Sequence, residues 1–135
     1  MGISHIPKGF NSVTPYFLVD DGDGFADFLK RAFDAEVIDH HKVEGRLLHG
    51  AYRIFGSIVE SGEGGDEYPS REYTIHLYVP DCDAVYKKAI AAGGKALSEL
   101  ADQPYGERSG GITDPYGNQW YIATQLVDMY PEREG

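Results

Sequence analysis

Two stretches of the chain share one alternation of apolar and polar positions, each followed by helical spacing. In VTPYFLVDDGDGFADFLKRAFDA, from Val13, the apolar set Val13, Pro15, Phe17 and Val19 alternates with Thr14, Tyr16 and Leu18. In YTIHLYVPDCDAVYKKAIAAGGK, from Tyr73, the set Tyr73, Ile75, Leu77 and Val79 alternates with Thr74, His76 and Tyr78. A period of two predicts strands whose apolar sides face helices and whose mixed sides face elsewhere. The copies align without a gap, placing Thr14 on Thr74, Val19 on Val79, Asp21 on Asp81, Asp23 on Asp83 and Ala32 on Ala92. Beyond the acidic turns, Phe25, Phe28, Leu29, Ala32 and Phe33 recur at helical spacing, as do Val85, Tyr86, Ala89 and Ile90, so each helix buries one face. The Asp residues cap the exposed first-turn N–H groups, and Gly93-Gly94 supplies a left-handed stop.

Three strand candidates follow each helix. After the first they are AEVIDHHKV, RLLHGAYRI and SIVES, divided at Glu44-Gly45 and Phe55-Gly56; after the second they are KALSEL, GGITD and QWYIATQL. Gly56 and Gly117 fall at equivalent turns. The pattern predicts an α+β fold of two βαβββ modules, residues 12–61 and 73–125, with a tail over 126–135. The acidic, glycine-rich GEGGDEYPSRE, 62–72, reads as a mobile hinge between them. QPYGERSGG, 103–111, reads as a loop at the mouth of the second module. A chain of 135 residues suits one compact domain or two small units sharing a core.

Composition narrows the partners. A net charge of −10, with no basic cluster, repels nucleic acid and anionic membrane. No apolar run approaches the roughly 18 residues that span a bilayer, and MGISHIPKGF lacks a signal core, which together predict a cytoplasmic protein. One cysteine, Cys82, excludes an intrachain disulfide and a multi-cysteine zinc site, and it reads as structural.

The tandem plan, together with IPKGFNSVTPYFLVDD, LLHGAYRIFG, PYGERSGGITDPYGNQWYIAT and VDMYPERE, resembles the vicinal oxygen chelate superfamily, which includes glyoxalase I, bleomycin-resistance proteins and extradiol dioxygenases. Within it the motifs are similar to the PhnB-like branch. The resemblance implies an eight-stranded cup, pairing into homodimers, and a cavity at or near the module interface. It also implies four metal-ligand positions, on the first and last strands of each module, which fall here on Thr14, Glu60, Thr74 and Tyr121.

Only Glu60 among these four is a good donor, because neutral hydroxyls compete poorly with water for a divalent ion. The expectation is a cup without that metal site and without a cofactor. The alternative is a divalent metal at a shifted site of His49, Glu60 and His76. The mixed strand faces, with Thr14, Tyr16, Thr74, His76 and Tyr78, suit the lining of a ligand site for a small aromatic or amphipathic molecule. Tyr121 is either a hydrogen-bonding lining residue or filler, whereas Trp120, of opposite parity, belongs to the core. Glu60 is a general base, an acceptor for a ligand, or an exposed strand-end acid; Glu60 and His76 are the candidates for acid/base catalysis. Tyr105 is placed to stack on a planar ligand, and Arg108 either clamps an anion or sits solvated in a surface turn. His40 and His41, being adjacent, point to opposite faces. DGDGF from Asp21 lacks the later ligands of a calcium loop and reads as a helix cap. The competing function is a lyase, isomerase or dioxygenase, working with a metal or by acid/base chemistry.

Overall fold

A computed structural model describes residues 2–131, so the end of the VDMYPERE motif lies outside the described residues. The first module runs β1 (Tyr16–Val19), α1 (Gly22–Phe33), β2 (Glu36–Val43), β3 (Arg46–Ile54) and β4 (Ser57–Glu63). The second runs β5 (Thr74–Tyr78), α2 (Cys82–Ala91), β6 (Lys95–Asp102), β7 (Glu107–Thr113) and β8 (Gln119–Gln125). The fold is α+β, with eight strands in two four-stranded mixed sheets ordered β1-β4-β3-β2 and β5-β8-β7-β6. In each, the first strand runs parallel to the last and the remaining pairs are antiparallel. The chain divides into two compact units, residues 1–71 and 72–135.

Local chemistry sets these elements. Asp21 accepts from Gly24 N at 2.9 Å and Asp81 from Ala84 N at 3.2 Å, so both helices start at the expected caps. The hairpins turn at Glu44-Gly45 and Phe55-Gly56, with φ of 52° and 80°, then 46° and 84°. Two successive left-handed residues match the twist of the flanking strands, and a glycine second bears the conformation without a Cβ clash.

In the first unit Phe17 and Val19 of β1 and Leu47, Tyr52 and Ile54 of β3 pack beneath Phe25, Phe28, Leu29, Ala32 and Phe33, all buried. The rings of Phe17 and Phe25 lie 5.0 Å apart. Burying each such phenylalanine contributes about 1.5–3 kcal/mol, which holds α1 on the sheet. In the second unit Val79, Cys82, Val85, Ala89, Ile112, Trp120 and Ile122 form the core.

Several boundaries differ from expectation. Val13 (85% exposed) and Pro15 lie outside β1, which starts only where Glu60 N bonds to Pro15 O at 2.8 Å. Ile90 is exposed and Tyr86 half-buried, because α2 meets its sheet along Val85 and Ala89 and the next positions round fall on the rim. β4 continues through Gly62 and Glu63, paired with Leu18 and Val19. The acidic segment after it is fastened to β1, Gly64 N bonding to Val19 O and Arg71 N to Leu18 O. The predicted loop 103–111 shrinks to the turn 103–106, closed by Gln103 N to Glu107 O, and β7 begins at Glu107.

β3 carries a bulge: His41 pairs with His49 but Lys42 with Leu47, leaving Leu48 extra. Parity therefore flips, turning Leu47 under α1 and Leu48 outward. Glu63 Oε2 accepts from Gly22 N and Leu47 N, each at 3.2 Å, tying the start of α1 to that bulge.

Candidate functional site

Register fixes what the second sheet shows on the side away from α2. His76 shares a rung with Tyr121 and Gly111, and Tyr78 with Ala123 and Ser109. Same-rung residues point the same way, so His76, Tyr78 and Tyr121 share one face while Trp120 and Ile122 pack beneath the helix. Trp120 is fully buried, its Nε1 donating to Asp114 Oδ2 at 2.9 Å. The Tyr121 ring lies over Gly111, where an added Cβ would come within 3.0 Å of it.

The His76 and Tyr78 rings are stacked, with centroids 4.6 Å apart and planes at 20°. Glu107, one rung beyond Ser109, reaches back across the small Ser109 and Ala123 to His76, whose Nε2 is 3.2 Å from its Oε2. The Tyr105 hydroxyl donates to the same oxygen at 3.2 Å. Glu107 is only 1% exposed, and its Oε1 is buried with no hydrogen-bond partner among the described residues. Burial, followed by the negative charge of Glu107, pushes the Tyr78 phenol upward, so Tyr78 stays a neutral O–H donor. The chain after β8 folds against the 103–106 turn beside Glu107: Leu126 N bonds to Gly106 O at 2.9 Å, and Val127 occupies the space a Gly106 side chain would need.

In the first sheet the equivalent rung joins Tyr16, Glu60 and Ala51. His49 lies on this face, with Nδ1 2.6 Å from Asp39 Oδ2 and Nε2 3.4 Å from Glu60 Oε1. The Asp39 hydrogen bond leads in raising His49 above the ordinary imidazole range, aided by Glu60 and opposed by burial. Burial and Glu60 together raise the Tyr16 phenol. Beside this array a groove of about 630 Å³ is lined by Tyr16, Leu18, Leu48, Arg46 and Tyr68. Thr14 precedes β1, donates to Asn11 O at 3.3 Å, and lines a cleft of about 240 Å³ with Glu60 and the N-terminal segment. Thr74 is the exposed first residue of β5. On the opposite side, His40 bridges Asp23 and Tyr52, so His40 and His41 do face opposite ways.

Arg108 is held by carboxylates of its own chain. It lies on the helix side of β7, bidentate on Asp83 at 2.7 and 3.1 Å and bonded to Asp102 at 3.2 Å. These carboxylates raise its already high pKa further and leave the open face to its neighbour Glu107. The predicted loop hid that neighbour. A strand begun at Glu107 rather than Gly110 puts Glu107, Ser109 and Gly111 on one parity, which is the signal the sequence carried. Tyr105 is committed through its hydroxyl to Glu107 as well as being 58% exposed.

Residues 9–122 match the profile of the Glyoxalase/Bleomycin resistance protein/Dioxygenase superfamily. The chain belongs to this superfamily. An uncharacterized protein of Mycobacterium bovis is 34% identical over 132 residues, covering 87% of this chain and 86% of its own. TioX from Micromonospora sp. ML1 has a similar fold, with TM-score 0.72 and 23% identity over 88% of this chain and 99% of its own. The PhnB protein from Bacillus cereus has TM-score 0.63 and 16% identity over 84% and 99%.

A superfamily metal does not fit the residues at its implied positions. Glu60 is the one carboxylate among them, and the others are the hydroxyls of Thr14, Thr74 and Tyr121. The shifted set fares no better. His49 directs both nitrogens at carboxylates, and among the described residues no three His, Cys, Asp or Glu side chains are arranged to hold an ion.

Proposed function

We propose that this superfamily member binds a small planar aromatic or amphipathic molecule on its open sheet faces, without a metal. The observation that carries the reading is the exposed, near-parallel stack of His76 on Tyr78, beside Tyr121 and above a buried carboxylate. A flat face of this kind gains from ring stacking and offers few polar groups to fix orientation, which suits sequestration. Tyr16, Glu60, Thr14 and Thr74 belong to the same proposal on their own strands. A place in the PhnB-like branch and a homodimeric state, both implied by the resemblance of the sequence motifs, and a cytoplasmic setting complete it. The charge of −10 supports a small molecule over nucleic acid or membrane as partner.

Chelator-treated protein screened by thermal shift against planar aromatic compounds tests this. Hits should bind Tyr78→Ala and Tyr121→Ala at least about tenfold more weakly; unchanged affinity in both rejects the reading.

One observation favours a second reading. An imidazole held by a buried carboxylate, as His76 is by Glu107, is the arrangement of general acid/base catalysis. In that case His76→Gln would abolish one limb of the pH–rate profile, and a profile that keeps both limbs removes this reading.

A further inference from the structure

We infer that Glu107 selects the ligand of the second sheet's open face, and that this ligand carries an N–H donor on its planar ring. The inference rests on the reading of that face as a binding site and adds what the ligand must bring to it. His76 and Tyr105 converge on Oε2 and the Tyr78 phenol borders the same carboxylate, while Oε1 is buried and makes no direct hydrogen bond among the described residues. A buried acceptor without a donor destabilises the fold, and native structures give nearly every such group a partner, so Oε1 calls for one.

The surroundings define the missing group. The groups facing Glu107 are the His76 imidazole and the phenols of Tyr78 and Tyr105, with Tyr130 near Tyr78. The guanidinium next to it in sequence is turned away and held by Asp83 and Asp102. Among the described residues no fixed cation is left to neutralise Glu107, so an anionic ligand would meet like charge, whereas an amine or amidinium makes a charge-assisted bond. A ring stacked alongside His76 and Tyr78 lies next to this carboxylate, and its donor reaches the buried Oε1 by displacing the exposed Tyr105 ring on the 103–106 turn. The chain's net charge of −10 favours a cationic over an anionic ligand.

The test is a fluorescence titration with 9-aminoacridine, cationic and bearing an exocyclic amine, and acridine, the same ring without an N–H at neutral pH. The expected result is 9-aminoacridine binding the wild type at least about tenfold more tightly than acridine, with that preference lost in Glu107→Gln. Equal affinities in the wild type, or a preference that survives Glu107→Gln, overturns the inference. Tyr105→Phe probes the same carboxylate independently if the Gln variant does not fold. It removes one donor from the carboxylate, leaving Glu107 a stronger acceptor, and should tighten 9-aminoacridine about threefold relative to acridine; an equal change for both rings counts against the role of Glu107. If neither ring binds, or Tyr78→Ala weakens neither, the binding-face reading itself fails.

Discussion

Tyr121 stands on the rung beside His76 in the second sheet just as Glu60 stands beside Tyr16 in the first. Two sheets of the same topology thus present different chemistry at the same place. The first offers a carboxylate linked to His49 and Asp39, and the second offers stacked rings over Glu107.

The first array has a pH signature. His49 is raised above its ordinary 6.5, so the stability it contributes is complete below that value and is lost as pH rises through its folded pKa. Asp39 is lowered from 3.8, so its contribution is present above that value and is lost as pH falls through its folded pKa. The pair therefore stabilises most between 3.8 and 6.5. An NMR titration of the His49 ring should give a midpoint above 6.5, moving down in Asp39→Asn; a wild-type midpoint at or below that value would contradict the pairing.

Asp114 holds the turn into β8. It accepts from Tyr116 N, Asn118 N and Nδ2, and the buried Trp120 Nε1. Asp114→Ala strands several buried donors and should cost about 3–5 kcal/mol in urea unfolding. A loss below about 1 kcal/mol would show that water or a relaxed turn replaces the carboxylate.

Gly111→Ala places a Cβ 2.9 Å from Ser98 Oγ and 3.0 Å from the Tyr121 ring. We expect a stability loss of about 1–2 kcal/mol from overpacking, together with weaker binding of any ring that uses Tyr121. Wild-type affinity in a folded Gly111→Ala protein would remove Tyr121 from the site.

Arg108→Ala should leave ligand affinity unchanged and lower the thermal midpoint slightly, since its partners Asp83 and Asp102 are on the helix side. Calorimetric titration of the variant checks this; a large affinity loss would restore the anion clamp that its sequence context suggests.

What was legible in the chain depended on how locally each feature is determined. The gapless repeat, the Asp21 and Asp81 caps and the hairpin glycines act over a few residues, so element order and the buried face of α1 were readable from composition and spacing, whereas on α2 only Val85 and Ala89 of the expected face are buried. Strand parity likewise placed Tyr121 and Trp120 on opposite faces, as the structure has them. The His49 face was not readable, because the bulge at Leu48 shifts register through a contact with β2 that no local pattern records. Glu107 was hidden for a related reason: its turn-like neighbours Pro104 and Gly106 masked a strand that only pairing with β8 defines.

The most direct measurement is a backbone amide NMR map of the chelator-treated protein during titration with 9-aminoacridine. The largest shifts should cluster at Ile75, His76, Leu77, Glu107, Gly111 and Ala123, the strands that carry the His76–Tyr78 stack and its carboxylate. Saturable binding whose shifts fall elsewhere, or binding only after a divalent metal is restored, would contradict a metal-free ligand face on the second sheet.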